Sequence, residues 1–470
     1  MIYAIVKKEL KEIFRERLLQ VAGVSLLVLL GLSLAISYSY NRMLDSQLEA
    51  ANETARQHWE AQGNKNQHSA AHYGIYLFKP KSVLAFWDHG IDKYVGSTIY
   101  TEAHKRNHPH FKPVEDSPML AKWGELTPGF ILLYLLPLLL IWLCAGAVSG
   151  ERERQTLTIV LSQGVSWRQL LIAKAISRWV VGLLLVLPAF AGMALLLSQI
   201  DNTIQGSMVT WGALLLTYLL YIGIFIHAGI AISARASSTT ASTMALLGLW
   251  LISVWVLPRL GASLAEKLYP APSETSFDTA IAAAIDQEGI KRHDPTNPRT
   301  IEFTQKTLAE YGVDSVEALP VNFNGLILQA AEERNDVIFD KHHQALDKRY
   351  RQQTKVIQAL GILSPFIPAR HLSMGLCQTD LRAAVDFQEQ ADRYRKRFIK
   401  ALNKDLIESG PVKPQRFVQD RSFWKKLPSF SYDLPGIGFA IRHHWQNVIT
   451  LLLWFALSIG VLYFSKPKTY

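Results

Sequence analysis

The chain has 470 residues, 49% hydrophobic and 19% charged, with a formal net charge of +10 at pH 7. Six stretches of more than 20 residues hold no Asp, Glu, Lys or Arg: 18–41, 126–150, 179–200, 202–234, 236–258 and 443–465. Because ~20 apolar helical residues cross a ~30 Å hydrocarbon core, this pattern excludes an ordinary soluble domain and predicts an all-α membrane protein with six transmembrane helices.

Residues 1–17, MIYAIVKKELKEIFRER, read as an amphipathic helix. Ile2, Ile5, Val6, Leu10, Ile13 and Phe14 recur at helical spacing, with Lys7, Lys8, Lys11 and Arg15 mostly on the other side. Such a helix lies in the membrane interface with its cations toward lipid head groups. Residues 18–41 are the first span. Their apolar part runs longer than a signal-peptide core of 7–15 residues, so they are read as an uncleaved anchor despite the small residues Ala35 and Ser37.

Residues 42–125 are the first extracytoplasmic segment. It begins as a continuation of the first helix, with Leu44, Leu48, Ala51, Ala55 and Trp59 in one stripe, and is expected to continue as loops. Seven of the 14 histidines fall here: His58, His68, His72, His89, His104, His108 and His110. Imidazole suits Cu or Zn, but Pro109 breaks regular spacing in HKRNHPH, and no metal site is predicted.

The second span (126–150) leads into the segment 151–178, ERERQTLTIVLSQGVSWRQLLIAKAISR. Glu151, Arg152, Glu153 and Arg154 mark the membrane exit, since charges of both signs enter hydrocarbon only at high cost. A short apolar helix from Thr156, a break at Ser162-Gln163-Gly164 and a second helix capped by Ser166 follow. A bare connection needs only a few residues; the 28 used here point to a docking element.

The third span is 179–200, the fourth 209–234 after a short turn at 201–210, and the fifth 236–258 after a tight turn at Arg235. Pro137 and Pro188 lie inside spans, where neighbours must satisfy the freed carbonyls. His227, the clearest ionisable residue within a span, is expected to hydrogen-bond between helices rather than to catalyse. Residues 259–442 form a mostly helical extracytoplasmic domain, with helices expected over 277–290, 327–360 and 379–410, the last capped by Thr379 or Asp380 and stopped before Gly410-Pro411. Residues 443–465 are the sixth span and 466–470 a cytoplasmic tail.

With the N-terminus inside, the inner pieces carry 13 Lys+Arg against 5 Asp+Glu, and the outer pieces 36 against 34. The positive-inside rule therefore places both termini in the cytoplasm. No basic face with interleaved aromatics is found on the inner side, so nucleic acid is not an expected partner. Cys144 and Cys377 belong to no CxxC motif and fall on separate parts of the topology. The dipeptide Gly-Lys, required by a P-loop, and HExxH are both absent. No enzyme is expected, and no cofactor is expected on this chain.

The stretch SGERERQTLTIVLSQGVSWRQLLIAK resembles the signature of type-2 ABC transporter permeases, matching it at Gly150, Glu151, Arg152, Glu153, Thr156, Leu157, Ser162, Gln163, Val165, Ser166 and Lys174. Gln155 stands where that pattern has Gly, and Gly164 where Pro is common. KKELKEIFRER resembles the family's elbow helix. Ser364, Pro365, Leu372, Ser373, Thr379, Asp380, Phe387, Tyr394, Arg395 and Asn403 resemble the pattern of a large extracytoplasmic domain of unknown function in one bacterial subfamily.

The resemblance implies a permease subunit in the bacterial cytoplasmic membrane. It would dimerise, as a homo- or heterodimer, sit on a dimer of cytoplasmic ABC ATPases that use the ATP, and most often export. Glu151, Arg152 and Glu153 would anchor the coupling helix to the ATPase, Thr156 and Leu157 would pack it, and Ser162–Ser166 would form its turn. The alternative from another class is a mechanotransmission or accessory protein whose outer domain recruits a periplasmic partner and moves no substrate.

Overall fold

The computed structural model describes residues 1–112, 126–199, 204–409 and 417–466. Residues 113–125 of the first segment, the start of the turn read at 201–210, the Gly410-Pro411 stop and most of the tail 466–470 lie outside the described residues.

Among the described residues, six helices are long and apolar enough to cross a membrane: Arg17–Glu60 (α2), Pro128–Glu153 (α4), Trp167–Leu197 (α6), Met208–Arg235 within α7 (Ile204–Arg235), Thr239–Leu268 (α8) and Ile437–Tyr463 (α15). A short helix α1 (Ile2–Ile13) precedes them, and α5 (Thr156–Ser162) joins α4 to α6. At the centre runs α7. Tyr218, Ile222, Ile226 and Ile230, spaced four apart, are all 0% exposed. They belong to one large core to which α2, α4, α6 and α15 also contribute. By contrast, α2 is peripheral. Leu26, Leu30, Ser33 and Ser37 turn inward, while Val21, Val24, Val28, Leu32 and Ile36 stay exposed, the two-sided pattern of a helix with one face to protein and one to lipid.

Two prolines are accommodated as the physics requires. Proline lacks an N–H and its ring collides with the carbonyl four residues back. Upstream of Pro137, Ile131–Leu135 widens into a π turn, and the Leu133 carbonyl accepts from the Tyr221 hydroxyl on α7 at 3.0 Å. Before Pro258 a second π turn, Ile252–Val256, exposes the Ser253 carbonyl, which accepts from Ser364 Oγ at 2.8 Å.

At 44 residues, α2 is about 66 Å long at ~1.5 Å per residue, well beyond a bilayer core. Its far end carries Trp59 into a second core, with ring centroids 4.8 Å from Phe398 and 5.9 Å from Trp424. That lobe contains α3 (Gln67–Tyr73), α9 (Glu274–Glu288), α10 (Pro298–Tyr311), α11 (Phe323–Ala359), α13 (Leu381–Glu408) and α14 (Arg421–Trp424), whereas α12 (Phe366–Cys377) buries Phe366, Ile367, Leu372 and Leu376 in the main core.

The three helices expected in the domain are present as α9, α11 and α13; the cap of α13 is Asp380, whose carboxylate accepts from Ala383 N at 3.1 Å. Three helices, α10, α12 and the short α14, were not anticipated. The chain is overwhelmingly helical, with almost no sheet; one expectation needs correcting, for the first segment is not only loops beyond Trp59. Strands β1 (Ile75–Phe78) and β2 (Thr98–Thr101) pair antiparallel, Tyr76 opposite Tyr100. The 19 residues between them hid the pairing, because no short turn signal marks it.

Candidate functional site

The site is built where α4 ends. Its hydrogen-bond ladder breaks at Gly146, and the freed amides of Val148 and Ser149 donate to Ser233 Oγ on α7 at 3.0 and 3.1 Å. Both serines are 0% exposed, so this hydroxyl satisfies donors that water cannot reach. One further turn brings Glu151 to the junction with α1 and α6. Glu151 Oε1 lies 3.2 Å from Lys8 Nζ and 3.0 Å from Lys174 Nζ. Lys174 Nζ also donates to Glu9 Oε1 at 2.9 Å, and Arg178 donates to the other oxygen of Glu9. Glu9, Glu151, Lys174 and Arg178 are 3, 4, 1 and 5% exposed, so the four form a buried ionic clasp. Buried charges are tolerated only when paired and hydrogen-bonded, and here each carboxylate bridges two cations. Burial pushes the Glu9 carboxyl upward, but Arg178 and Lys174 overcome it and hold the group at about 2. Lys8, at the rim, is raised: partial burial works against its charge, and Glu151 and Glu9 more than offset it.

The other residues singled out in the sequence also turn to their own chain. Arg152 donates to the carbonyls of Ala234, at 2.7 Å, and Ala236, closing the C-terminus of α7. Glu153 accepts from Thr239 Oγ1 at 2.6 Å. Thr156 Oγ1 donates to the Glu151 carbonyl at 3.2 Å, and Leu157 packs against the main core. Ser162 Oγ donates within its own helix to Ile159 O at 2.8 Å. Ser166 caps α6 in a reciprocal box with Gln169. Lys7 and Lys11 are exposed on α1, and Arg15 is exposed in the turn that follows it.

No residue of α5 is buried, and Ile159 is 57% exposed. Two left-handed residues bracket this helix, Gln155 (φ 57°) and Gly164 (φ 81°). The structure thus presents a short exposed helix on a rigid mount. At the same end of the bundle, Trp167 Nε1 donates to the Ser465 carbonyl at 2.7 Å. Residues 1–13, 149–178, 234–239 and 465 therefore meet at one place.

Sequence reasoning missed Glu9 and Arg178 and took Lys174 only as a motif position. The signal was present: Glu9 is one turn from both Ile5 and Ile13, so it sits in the apolar stripe of α1. Lys174 and Arg178 are likewise one turn apart at the mouth of a charge-free span.

Inside the bundle, His227 joins three helices. Trp179 Nε1 donates to its Nε2 at 3.0 Å, so Nδ1 carries the proton toward Ser458 Oγ, also at 3.0 Å, and that hydroxyl donates to Phe455 O at 2.7 Å. All ring positions are used, which fits a neutral structural histidine. At the opposite end, Asp88, 1% exposed, lies 2.6 Å through each carboxylate oxygen from Arg370 and accepts from Ser373 Oγ at 2.5 Å. Ser373 Oγ in turn meets Tyr218 OH at 2.8 Å, tying the first segment to α12 and α7. Beside Asp88 a cleft of about 320 Å³ opens between Tyr134, Trp255, Arg259 and Arg370.

A family profile described as a domain of unknown function (DUF3526) matches residues 275–433, which contain most of the helical lobe. The chain is also similar to NosY, a probable ABC transporter permease protein of Pseudomonas aeruginosa, at 28% identity over 123 residues, 26% of this chain. The aligned part spans 45% of that relative's length, so the likeness concerns a portion of each protein, and the kinship visible there is with an ABC transporter permease.

Proposed function

We propose that this chain is the membrane-spanning permease subunit of an ATP-driven transporter, working with a separate dimer of cytoplasmic ABC ATPases and a second permease subunit. The single observation that carries the reading is α5, a helix with no buried residue, held between two left-handed turns on the Glu9–Glu151–Lys174–Arg178 clasp. A force applied to α5 is passed to α1, α6 and α7 without slack, which a transmission element requires. In this reading Glu151, Arg152 and Glu153 weld the coupling element to its own spans, and Thr156, Ile159 and Ser162 face the ATPase. Lys7, Lys11 and Arg15 lie at the lipid head groups, and both termini are cytoplasmic. Export is the direction this reading adopts, because the large lobe sits on the far side from the engine.

The test is Ile159→Arg in the full complex. Co-purification with the ATPase and substrate-stimulated hydrolysis should be lost while the thermal midpoint of the permease stays unchanged; intact coupling would refute the assignment. Single cysteines replacing Gln163 and Glu302, both exposed, should label from opposite sides of the membrane once the buried Cys144 and Cys377 are removed.

A second reading, an accessory protein whose lobe recruits a periplasmic partner, is favoured by one feature. A cleft of about 710 Å³ between α11 and α13 is lined by Arg106, Asp340, Asp347, Arg351, Asp392 and Lys396. Such a wet, charged groove suits a polar protein segment, and transport of a substrate in reconstituted vesicles would decide against this reading.

A further inference from the structure

Three histidines distant in the chain meet in the lobe. His68 and His72 are one turn apart on α3, and His104 follows β2. Their ring centroids are 4.6, 5.3 and 5.1 Å apart, and one ring nitrogen from each lies within 4.8 Å of the others. The arrangement is held from behind. Glu332 of α11, 3% exposed, accepts from the His104 backbone N–H at 2.8 Å, and the same carboxylate oxygen lies 2.6 Å from His104 Nδ1. The opposite carboxylate oxygen of Glu332 is 3.5 Å from Arg395. With Nδ1–H committed to Glu332, the lone pair of His104 is on Nε2, free to face a ligand; a carboxylate behind an imidazole is the usual orienting partner of a metal-bound histidine. His104 also holds φ 64°, a left-handed conformation that costs a non-glycine residue about 1–2 kcal/mol, and such strain is concentrated at functional positions.

We propose that His68, His72 and His104 bind a first-row transition-metal dication of the zinc type, with Glu332 behind His104 and a fourth coordination position open to solvent. Imidazole nitrogens suit such ions, and paired histidines four apart on one helix face are an established ligand spacing. Zn–N bonds of ~2.1 Å place tetrahedral ligands about 3.4 Å apart, so loading asks for only a modest inward rotation of the rings. His72 is exposed and supplies the entry path. One group opposes the ion: Arg292 Nη1 lies 3.4 Å from His68 Nε2 and must donate to it, so the incoming metal displaces that guanidinium. Once loaded, the site would staple α3 and the β2 connection together, with Glu332 extending the link to α11.

The experiment is calorimetric titration of the full chain, chelator-stripped in detergent, with Zn²⁺. One tight equivalent is expected. His68→Ala, His72→Ala and His104→Ala should each weaken it at least tenfold, Glu332→Gln by about 10–100-fold, and Arg292→Ala should bind at least as tightly as the parent. His108→Ala, which removes the separate pair with Asp278 at 2.8 Å, should leave the affinity unchanged. His72 is exposed and belongs to neither core, so its variant should fold and carries the decision. A parent chain that takes no zinc, or a His72→Ala chain that binds it as tightly as the parent, would overturn the proposal.

Discussion

Replacing Glu9 by Gln tests whether the clasp anchors α1. In the parent, Glu9 and Glu151 face Lys174, Arg178 and Lys8, two carboxylates against three cations, with Lys174 and Arg178 1 and 5% exposed. The substitution keeps the shape and removes one carboxylate, leaving Glu151 as the only acid against the buried Lys174 and Arg178, while Lys8 at the rim keeps Glu151 and Glu12. At an effective dielectric of ~20 the 2.9 Å contact between Glu9 and Lys174 is worth about 6 kcal/mol before desolvation. Breaking a buried pair by removing one partner costs about 3–5 kcal/mol net. Because α1 is short and offers only Glu9 and Ile13 as buried residues, the loss should appear as local release of this helix rather than global unfolding. Amide hydrogen exchange of residues 2–13, in the full chain in nanodiscs, should then accelerate by about two to nearly four orders of magnitude. The combined Glu9→Gln and Arg178→Gln variant should recover part of the protection, since fewer unpaired cations remain. Exchange within tenfold of the parent in Glu9→Gln would refute the claim that this clasp holds α1.

Acidification should act on the same contact. Glu9 is held near 2 against an ordinary value of 4.5, so its contribution is fully present above pH 4.5 and is lost as pH falls through about 2; hydrogen exchange of α1 at pH 5 and pH 3 reads the change. Arg370→Ala should destabilise the chain by about 3–5 kcal/mol, because Asp88 stays buried without its cation, and Arg370→Ala combined with Asp88→Ala should cost less than Arg370→Ala alone, both measured as thermal midpoints in detergent. Gly164→Pro, which would restore the residue common in the permease pattern, should uncouple the ATPase: proline fixes φ near −65° and Gly164 adopts 81°. Gln155→Gly should be neutral or stabilising by up to about 1 kcal/mol, and Gln155→Val destabilising, since Gln155 holds φ 57°.

Much of the architecture is readable from one line of residues because local chemistry dictates it. Charge-free runs can only be satisfied as helices in an apolar medium, and six apolar helices lie in those regions. Ser166 and Asp380 stand at helix starts because a side-chain oxygen there takes an orphan amide, as both do. Gln155 and Gly164, off-pattern in the sequence, turn out to be the two left-handed positions that bracket α5. The strand pair was invisible for the opposite reason: its partners are four residues long and 19 residues apart, too short and too far separated for alternation or a turn signal to register.

Composition and order in the chain therefore settle which segments are apolar enough to span and that residues 149–178 interrupt them with charge. Only the packed chain decides what those charges touch. Glu151 and Lys174 are 23 residues apart and Glu9 more than 140 from either, yet one buried junction needs all three, because a charge out of water must find its counter-charge wherever the fold brings one. The same holds for His68, His72, His104 and Glu332: the histidines' segment was expected as loops, and tertiary structure alone brings the four together.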